Sequence, residues 1–100
     1  MALARVRSAF TSAAQPETWV SFEVPPGACD CHTHIFGDPA KFPLFSGRVY
    51  TPETASSEDM SALHRALHIQ RVVIVTPVYG ADNSATVFGV KARGATARGV

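Results

Sequence analysis

A run of four β-branched residues at positions 72–75, "VVIV", is the clearest hydrophobic feature of the chain. A continuous run of this kind, rather than an alternating one, is typical of a strand buried on both faces in a parallel sheet. Before it, apolar residues recur at helical spacing through 60–67 and leave one apolar stripe. Because Ser56 and Asp59 are spaced to close a capping box, the pattern predicts a helix followed directly by a buried strand.

The segments on either side extend this order. Residues 28–36 alternate as a strand does, and residues 19–24 predict a shorter strand before a proline-rich turn. The residues from 37 to the helix hold prolines, glycines and aromatics without a sustained period, which predicts a long packed loop. A weaker helical pattern covers 85–93, interrupted at Gly89, and another strand can start after it. The order β, loop, α, β, loop, α predicts an α/β fold.

Composition narrows the class of protein. The chain has 100 residues, of which 46% are hydrophobic and 17% charged, and its formal net charge is +1. This size allows one small domain at most, and the scattered basic residues give no surface suited to nucleic acid. No apolar run approaches the roughly 18 residues that span a membrane. We therefore expect a soluble protein with no nucleic-acid or membrane partner.

The amino terminus and the cysteines bear on the compartment. The first 17 residues carry Arg5 and Arg7 with no acid before Glu17, but they lack the apolar core of a secretory signal. We expect residues 1–24 to form a partly disordered tail rather than a transit peptide. The two cysteines are separated by one residue and cannot close a large loop, so reduced thiols in a cytoplasm are expected.

The stretch "CDCHTHIFGDP" concentrates the candidate chemistry. Regular alternation puts Asp30, His32 and His34 on one face of the strand. It puts the two cysteines and Thr33 on the other. Two histidines at i and i+2 lie about 6.6 Å apart along the backbone, and their imidazoles can converge on one ion. Catalytic zinc has about three protein ligands, so His32 and His34 predict half of a metal site.

Three other interpretations of the histidines stay open from spacing alone. The pair can be hydrogen-bonded packing residues. The two cysteines and two histidines can form a structural zinc site, although on one strand the thiols point away from the imidazoles. His64 and His68, at i and i+4, also have a ligand spacing, but without an intervening glutamate they favour a partly exposed helix face.

The motifs together resemble a known family. The run "DCHTHIFG", preceded by "PPGA" and followed by "GRVYTP", is similar to the start of the amidohydrolase superfamily. It is closest to the branch of 2-pyrone-4,6-dicarboxylate lactonases, also described as amidohydrolase 2 or metal-dependent hydrolases. Farther along, "LHRALHIQRVVIVTPVYGADNSAT" resembles the first helix, second strand and following loop of that branch. The resemblance covers Val24 to Val100.

The resemblance implies a fold and a set of site residues. The fold is the N-terminal portion of a TIM-type (β/α)8 barrel, about two βα units of eight, with the site at the carboxyl ends of the strands. His32 and His34 then bind a divalent metal, commonly zinc, or polarise the substrate carbonyl directly, since metal dependence is not universal in the branch. Tyr50 matches a substrate-contacting tyrosine. Val78 follows Pro77 where relatives carry a hydroxyl residue, and Thr76 can replace that hydroxyl.

The implied activity is hydrolysis of a lactone or related carbonyl, with a carboxylated aromatic-degradation product as the small-molecule substrate. A barrel needs about 250 residues, so residues 25–100 are expected to be the truncated start of one, inactive and poorly stable alone. The superfamily's later histidines and its late aspartate would lie beyond residue 100. A superfamily decarboxylase, a non-catalytic remnant and a small zinc-binding module are the alternatives.

Overall fold

The computed structural model of the chain describes residues 20–100. Of the predicted tail at 1–24, residues 1–19 therefore lie outside the described residues. The strand predicted at 19–24 is wrong over its described part, because residues 20–24 form no strand. Within the described part of the chain these residues pair with no strand of the sheet, and Phe22 is 66% exposed.

Three parallel strands and two helices alternate along the rest of the chain. The elements are β1 (Cys29–Thr33), α1 (Ser57–Leu67), β2 (Arg71–Ile74), α2 (Ser84–Arg93), a single 3₁₀ turn (Gly94–Thr96) and β3 (Ala97–Gly99). The sheet order is β1-β2-β3, with both pairs parallel. The predicted α/β class, the parallel sheet and the third strand are confirmed.

Helix α1 begins where its capping signal predicts. The Ser56 hydroxyl accepts a hydrogen bond from the Asp59 backbone N–H, and the Asp59 carboxylate accepts one from the Ser56 backbone N–H, each at 3.1 Å. This reciprocal pair satisfies two backbone donors that a helix start otherwise leaves open. The helix ends at His68, whose φ of 58° is left-handed. Capping therefore fixes both ends of the helix that packs beside β1.

The core lies between the sheet and the helices. Its buried residues come from α1, β2, β3 and the segment after β1, with Val90 of α2 partly buried against them: Ile35, Met60, Val72, Ile74 and Ala97. Ile74 is 0% exposed, and β2 is the central strand. On the other face of β2, Val73 is only half-buried. Strand β2 is thus fully buried on one face, as predicted, but only partly buried on the other.

Helix α2 runs without a break through Gly89, so the predicted interruption is wrong. A Cβ at this position would overlap Cδ1 of Ile35 and lie 3.0 Å from Cδ1 of Ile74. The glycine is therefore where the helix backbone approaches the core most closely, which accounts for a residue that helical propensity disfavours. Within residues 20–100, no helix is long and apolar enough to cross a membrane.

We predict that Gly89→Ala destabilises the protein. Alanine is the better helix former by about 1 kcal/mol, but its methyl group has no space against Ile35. Overpacking of this kind typically costs about 1–3 kcal/mol. After the helical gain is subtracted, the free energy of unfolding in urea should fall by up to about 2 kcal/mol.

Val87→Ala is the matched control on the same helix. Val87 is 46% exposed, and its truncation should change the free energy of unfolding by less than about 0.5 kcal/mol. A Gly89→Ala protein as stable as the control would contradict the close approach.

Candidate active site

The carboxyl ends of β1 and β2 are joined by two hydrogen bonds. The Val75 backbone N–H donates to the Thr33 carbonyl at 2.8 Å, and Nδ1 of His34 lies 2.9 Å from the Val75 carbonyl oxygen. Because a carbonyl only accepts, Nδ1 of His34 must carry the hydrogen. In a neutral imidazole, Nε2 then holds the lone pair. The strand end thus fixes both the place of the His34 ring and its tautomer.

The two predicted histidines lie together at this end of the sheet. Their ring centroids are 5.1 Å apart, and the rings are nearly perpendicular, at 86°. His32 is exposed and His34 is half-buried. Both line a cavity of about 280 Å³ whose opposite side is formed by Met60 and Leu63 of α1. The two imidazoles therefore line one cavity, as predicted.

The predicted alternation along β1 is interrupted. Cys29 pairs with Arg71 and Asp30 with Val72, but the next pair joins Thr33 to Ile74. Strand β1 therefore uses one more residue than β2 over this interval, as a β-bulge does. A bulge breaks the two-residue period, so the assignment of residues 30–34 to faces by simple alternation is wrong here. The carboxylate of Asp30 reaches α1 instead of the cavity.

His64 is the partner of that carboxylate. Its Nε2 lies 2.8 Å from Oδ2 of Asp30, and only 2% of its surface is exposed. The predicted exposed helix face is therefore wrong at His64. It holds at His68, which is exposed and ends the helix. The two do not form a ligand pair, since one is turned inward to Asp30.

The cysteines do not build a zinc site with the histidines. The Cys31 thiol contacts the Cys29 carbonyl at 3.6 Å, and both thiols are free. Partial burial, reinforced by the neighbouring Cys31, raises the pKa of Cys29, which disfavours the thiolate that zinc binds. Among residues 20–100, no group of three or more histidine, cysteine or acidic side chains is arranged to hold a metal ion.

The other two predicted site residues lie apart from the histidine pair. Tyr50 is 50% exposed on the loop between β1 and α1. Thr76 follows β2, and its hydroxyl bonds to Asn83 at 3.0 Å and to Thr86 at 2.8 Å. Neither side chain lines the cavity of the histidine pair. The structure thus brings together His32 and His34, but not Tyr50 or Thr76 with them.

Tyr79 is a residue that the sequence analysis missed. It is 4% exposed, and its hydroxyl accepts a hydrogen bond from the Gly37 backbone N–H at 3.0 Å. Burial raises the pKa of this hydroxyl, so it stays protonated. Nearby, the Phe45 N–H donates to the Val78 carbonyl at 3.0 Å. These contacts hold the loop after β1 against the loop after β2, and no local sequence period signals them.

Comparisons with known proteins agree with the sequence motifs. The chain is 47% identical over 73 residues to a 4-sulfomuconolactone hydrolase of Rhizobium radiobacter, covering 72% of this chain and 24% of that enzyme. It is 44% identical over 80 residues to a 2-pyrone-4,6-dicarboxylate hydrolase of Comamonas testosteroni, covering 79% and 26%. No protein-family model matches the chain.

A solved structure gives the same picture. An apo crystal structure from Agrobacterium tumefaciens matches with a TM-score of 0.67 and 30% identity, covering 76% of this chain and 27% of that one. The comparisons give no support to the decarboxylase, non-catalytic or zinc-module alternatives. The chain spans about a quarter of the length of the curated relatives that it matches. The predicted resemblance is therefore confirmed, and the chain is a quarter-length relative of amidohydrolase-like lactone hydrolases.

Proposed function

We propose that this chain forms the first part of a lactone hydrolase and that His32 and His34 act on the substrate carbonyl. One observation carries the proposal: the His34 ring is fixed by the Val75 carbonyl at the joined ends of two parallel strands, 5.1 Å from the His32 ring. Ligand sites of parallel α/β folds lie at these carboxyl ends. The identity to lactone hydrolases supplies the class of substrate.

The complete fold that we propose is a TIM-type (β/α)8 barrel. Strands β1 and β3 are the two edges of a three-stranded parallel sheet. Such sheets normally have further strands and helices around them, because an open edge leaves backbone groups unpaired. The β-α-β-α-β order matches two barrel units and a third strand. We infer that the remaining units complete the enzyme and that the 100 residues alone have no hydrolase activity.

The proposed reaction opens a lactone. The oxygen of water forms a bond to the carbonyl carbon, the ring C–O bond breaks, and the products are a carboxylate and a hydroxyl group. One proton of the attacking water passes to a base that we place in the rest of the complete enzyme, and the base returns it to the leaving ring oxygen. The second proton is released to solvent when the new carboxylic acid ionises. His32 and His34 stabilise the negative charge that develops on the carbonyl oxygen, which is usually the largest catalytic contribution in such reactions.

The charge state of His34 decides how it acts. With Nδ1–H engaged by the Val75 carbonyl, a neutral ring presents a lone pair at Nε2 and suits a metal ligand. A protonated ring presents a hydrogen at Nε2 and can donate it to the carbonyl oxygen directly. His32 supplies the second imidazole in either case.

A divalent ion, with zinc foremost, is the cofactor that we propose. The two imidazoles fit part of such a site, because histidine held by a backbone carbonyl through its other nitrogen is a typical zinc ligand. They are two of the roughly three protein ligands required, so the rest of the enzyme must add at least one. When bound, the ion supplies Lewis-acid polarisation of the carbonyl. Direct polarisation by the histidines is the metal-free alternative.

Tyr50 and Thr76 are proposed substrate contacts. Tyr50 is half-exposed on the loop between β1 and α1, which Tyr79 holds against the loop after β2. The Thr76 hydroxyl donates to Oδ1 of Asn83 and accepts from Thr86, which leaves it one further acceptor site at the end of β2. We propose that these hydroxyls contact the carboxylate groups of a lactone whose carbonyl lies at the histidine pair.

A chimera tests the activity directly. Residues of this chain replace the matched segment of the Comamonas testosteroni hydrolase, and hydrolysis of 2-pyrone-4,6-dicarboxylate is followed by absorbance. We expect activity in the chimera and a fall in kcat/KM of about 10²–10³-fold for His32→Ala or His34→Ala, the usual cost of losing an oxyanion-stabilising group.

His68→Asn is the matched histidine control. It lies on the exposed helix end and asparagine tolerates its left-handed backbone. Its kcat/KM should stay within about twofold of the parent, well inside the effect of the site variants. A folded chimera without activity would overturn the proposed function. Full activity in a chimera that lacks both His32 and His34 would do the same.

Metal removal separates the two chemistries. If His34 acts as a neutral ligand, prolonged chelation of the chimera should abolish hydrolysis, and Zn²⁺ should restore it. The His34→Ala chimera should hold less zinc after dialysis, measured by atomic absorption. Unchanged hydrolysis after chelation, with no zinc retained, would reject the metal and leave direct polarisation by the histidines.

Thr76 also has a structural role, which the stability of two variants tests. Thr76→Val removes the acceptor of the buried Thr86 hydroxyl, so the free energy of unfolding of the chain should fall by about 1–3 kcal/mol. Thr76→Ser keeps the hydroxyl and should cost about 1 kcal/mol or less, so urea unfolding of the two variants isolates the hydrogen bonds. Equal stability of the valine and serine variants would contradict them.

A further inference from the structure

Three polar side chains form a continuous chain behind the histidine pair. Oδ2 of Asp30 lies 2.8 Å from Nε2 of His64, and Nδ1 of His64 lies 2.8 Å from Nη1 of Arg93. The three residues belong to β1, α1 and α2, respectively. The His64 side chain is 3% exposed and the Asp30 side chain 28%. A strand and both helices therefore meet through one buried imidazole.

The hydrogen positions in this chain follow from the donors available. A guanidinium only donates, so Nδ1 of His64 must accept from Arg93. Nε2 then carries the hydrogen and donates it to the Asp30 carboxylate. His64 is thus a neutral ring in a single tautomer, between an anion and a cation.

Both ends of the chain act on the sheet. The other carboxylate oxygen of Asp30, Oδ1, accepts a hydrogen bond from the His32 backbone N–H at 3.3 Å. This bond lies within the bulge of β1, where pairing with β2 is irregular. At the other end, Nη2 of Arg93 donates to the carbonyl of Gln70, just before β2, at 3.3 Å. The polar chain therefore reaches both strands that carry the candidate site.

We propose that His64 and Arg93 are positioning residues for the histidine pair. They orient the Asp30 carboxylate, which holds the bulge and thereby sets the His32 backbone relative to the His34 ring. The catalytic meaning of this arrangement rests on the proposed function. Its geometry does not, because every contact in it lies within residues 30–93 of this chain.

Packing alone does not account for these groups. Replacing a buried polar cluster by apolar residues of similar volume is often neutral or stabilising, because the charged groups lose their hydration on burial. A leucine at position 64 alone removes the partner that both the Asp30 carboxylate and the Arg93 guanidinium contact, so it lowers stability whatever the role of His64. A purely structural role therefore predicts that His64→Leu weakens the whole fold evenly, without an effect localised at the His32 amide and the His32 and His34 rings.

Nuclear magnetic resonance of the chain tests the proposal. The sequence has four histidines, so selective ¹⁵N labelling of histidine gives four ring systems, which histidine-to-glutamine variants assign. We expect His64 to show a protonated Nε2 and an unprotonated Nδ1. A protonated Nδ1, or averaged tautomers, would overturn the proposal.

Variants then separate positioning from packing. In His64→Leu, exchange of the His32 amide should accelerate about tenfold relative to that of Ile74, which reports global opening of the core. The His32 and His34 ring nitrogen shifts should move with it. His64→Gln, whose amide can both donate to Asp30 and accept from Arg93, should restore most of the parent behaviour.

Arg65→Leu is the matched control, because Arg65 and Arg93 line the same cleft and carry the same charge, and it is the Arg93 guanidinium that bonds to Nδ1 of His64. Arg65→Leu should leave the His64 tautomer and the His32 amide unchanged, whereas Arg93→Leu should alter both. If His64→Leu prevents folding, the contrast between the two arginine variants decides. Equal behaviour of those two variants would overturn the proposal. No readout depends on hydrolysis, so failure of the proposed function gives a different result.

Discussion

The candidate site depends on the parallel pairing of β1 with β2. Strand β2 is central and its Ile74 is fully buried. Directly after β2, the Val75 backbone N–H donates a hydrogen bond to the Thr33 carbonyl at the end of β1. Val75 also accepts the hydrogen bond that fixes His34. A shift of one residue in this pairing would turn every side chain of β1 to the opposite face. Core packing and site geometry are therefore set by one register.

The parts of the fold that could be predicted are those with local signals. Helix α1 was predictable because Ser56 and Asp59 satisfy each other's backbone within one turn. Strand β2 was predictable because four β-branched residues in succession disfavour a helix. The break predicted at Gly89 was wrong because the reason for this glycine is not local. Its role comes from Ile35, which is distant in sequence, and a propensity scale contains no such contact.

The site divides in the same way. That His32 and His34 lie together was predicted from their spacing of two residues, although the bulge and the Val75 carbonyl, rather than simple alternation, place the rings. The inward turn of Asp30 was not, because it depends on a bulge and on His64, 34 residues away. A histidine on the apolar side of an amphipathic helix was the available signal for that partner. The placement of Tyr50 and Thr76 depends on how two loops pack, which a single sequence does not encode in any period.

The sheet register also sets an order of assembly. Residue 29 pairs with residue 71 and residue 72 with residue 97, so the paired positions are 42 and 25 residues apart in the chain. Long-range closure of this kind is slow, whereas a capped helix such as α1 forms within microseconds. During synthesis, β1 must leave the ribosome and wait for β2 before it can pair. The His34 ring is therefore oriented only late, after Val75, whose carbonyl fixes it, has been made.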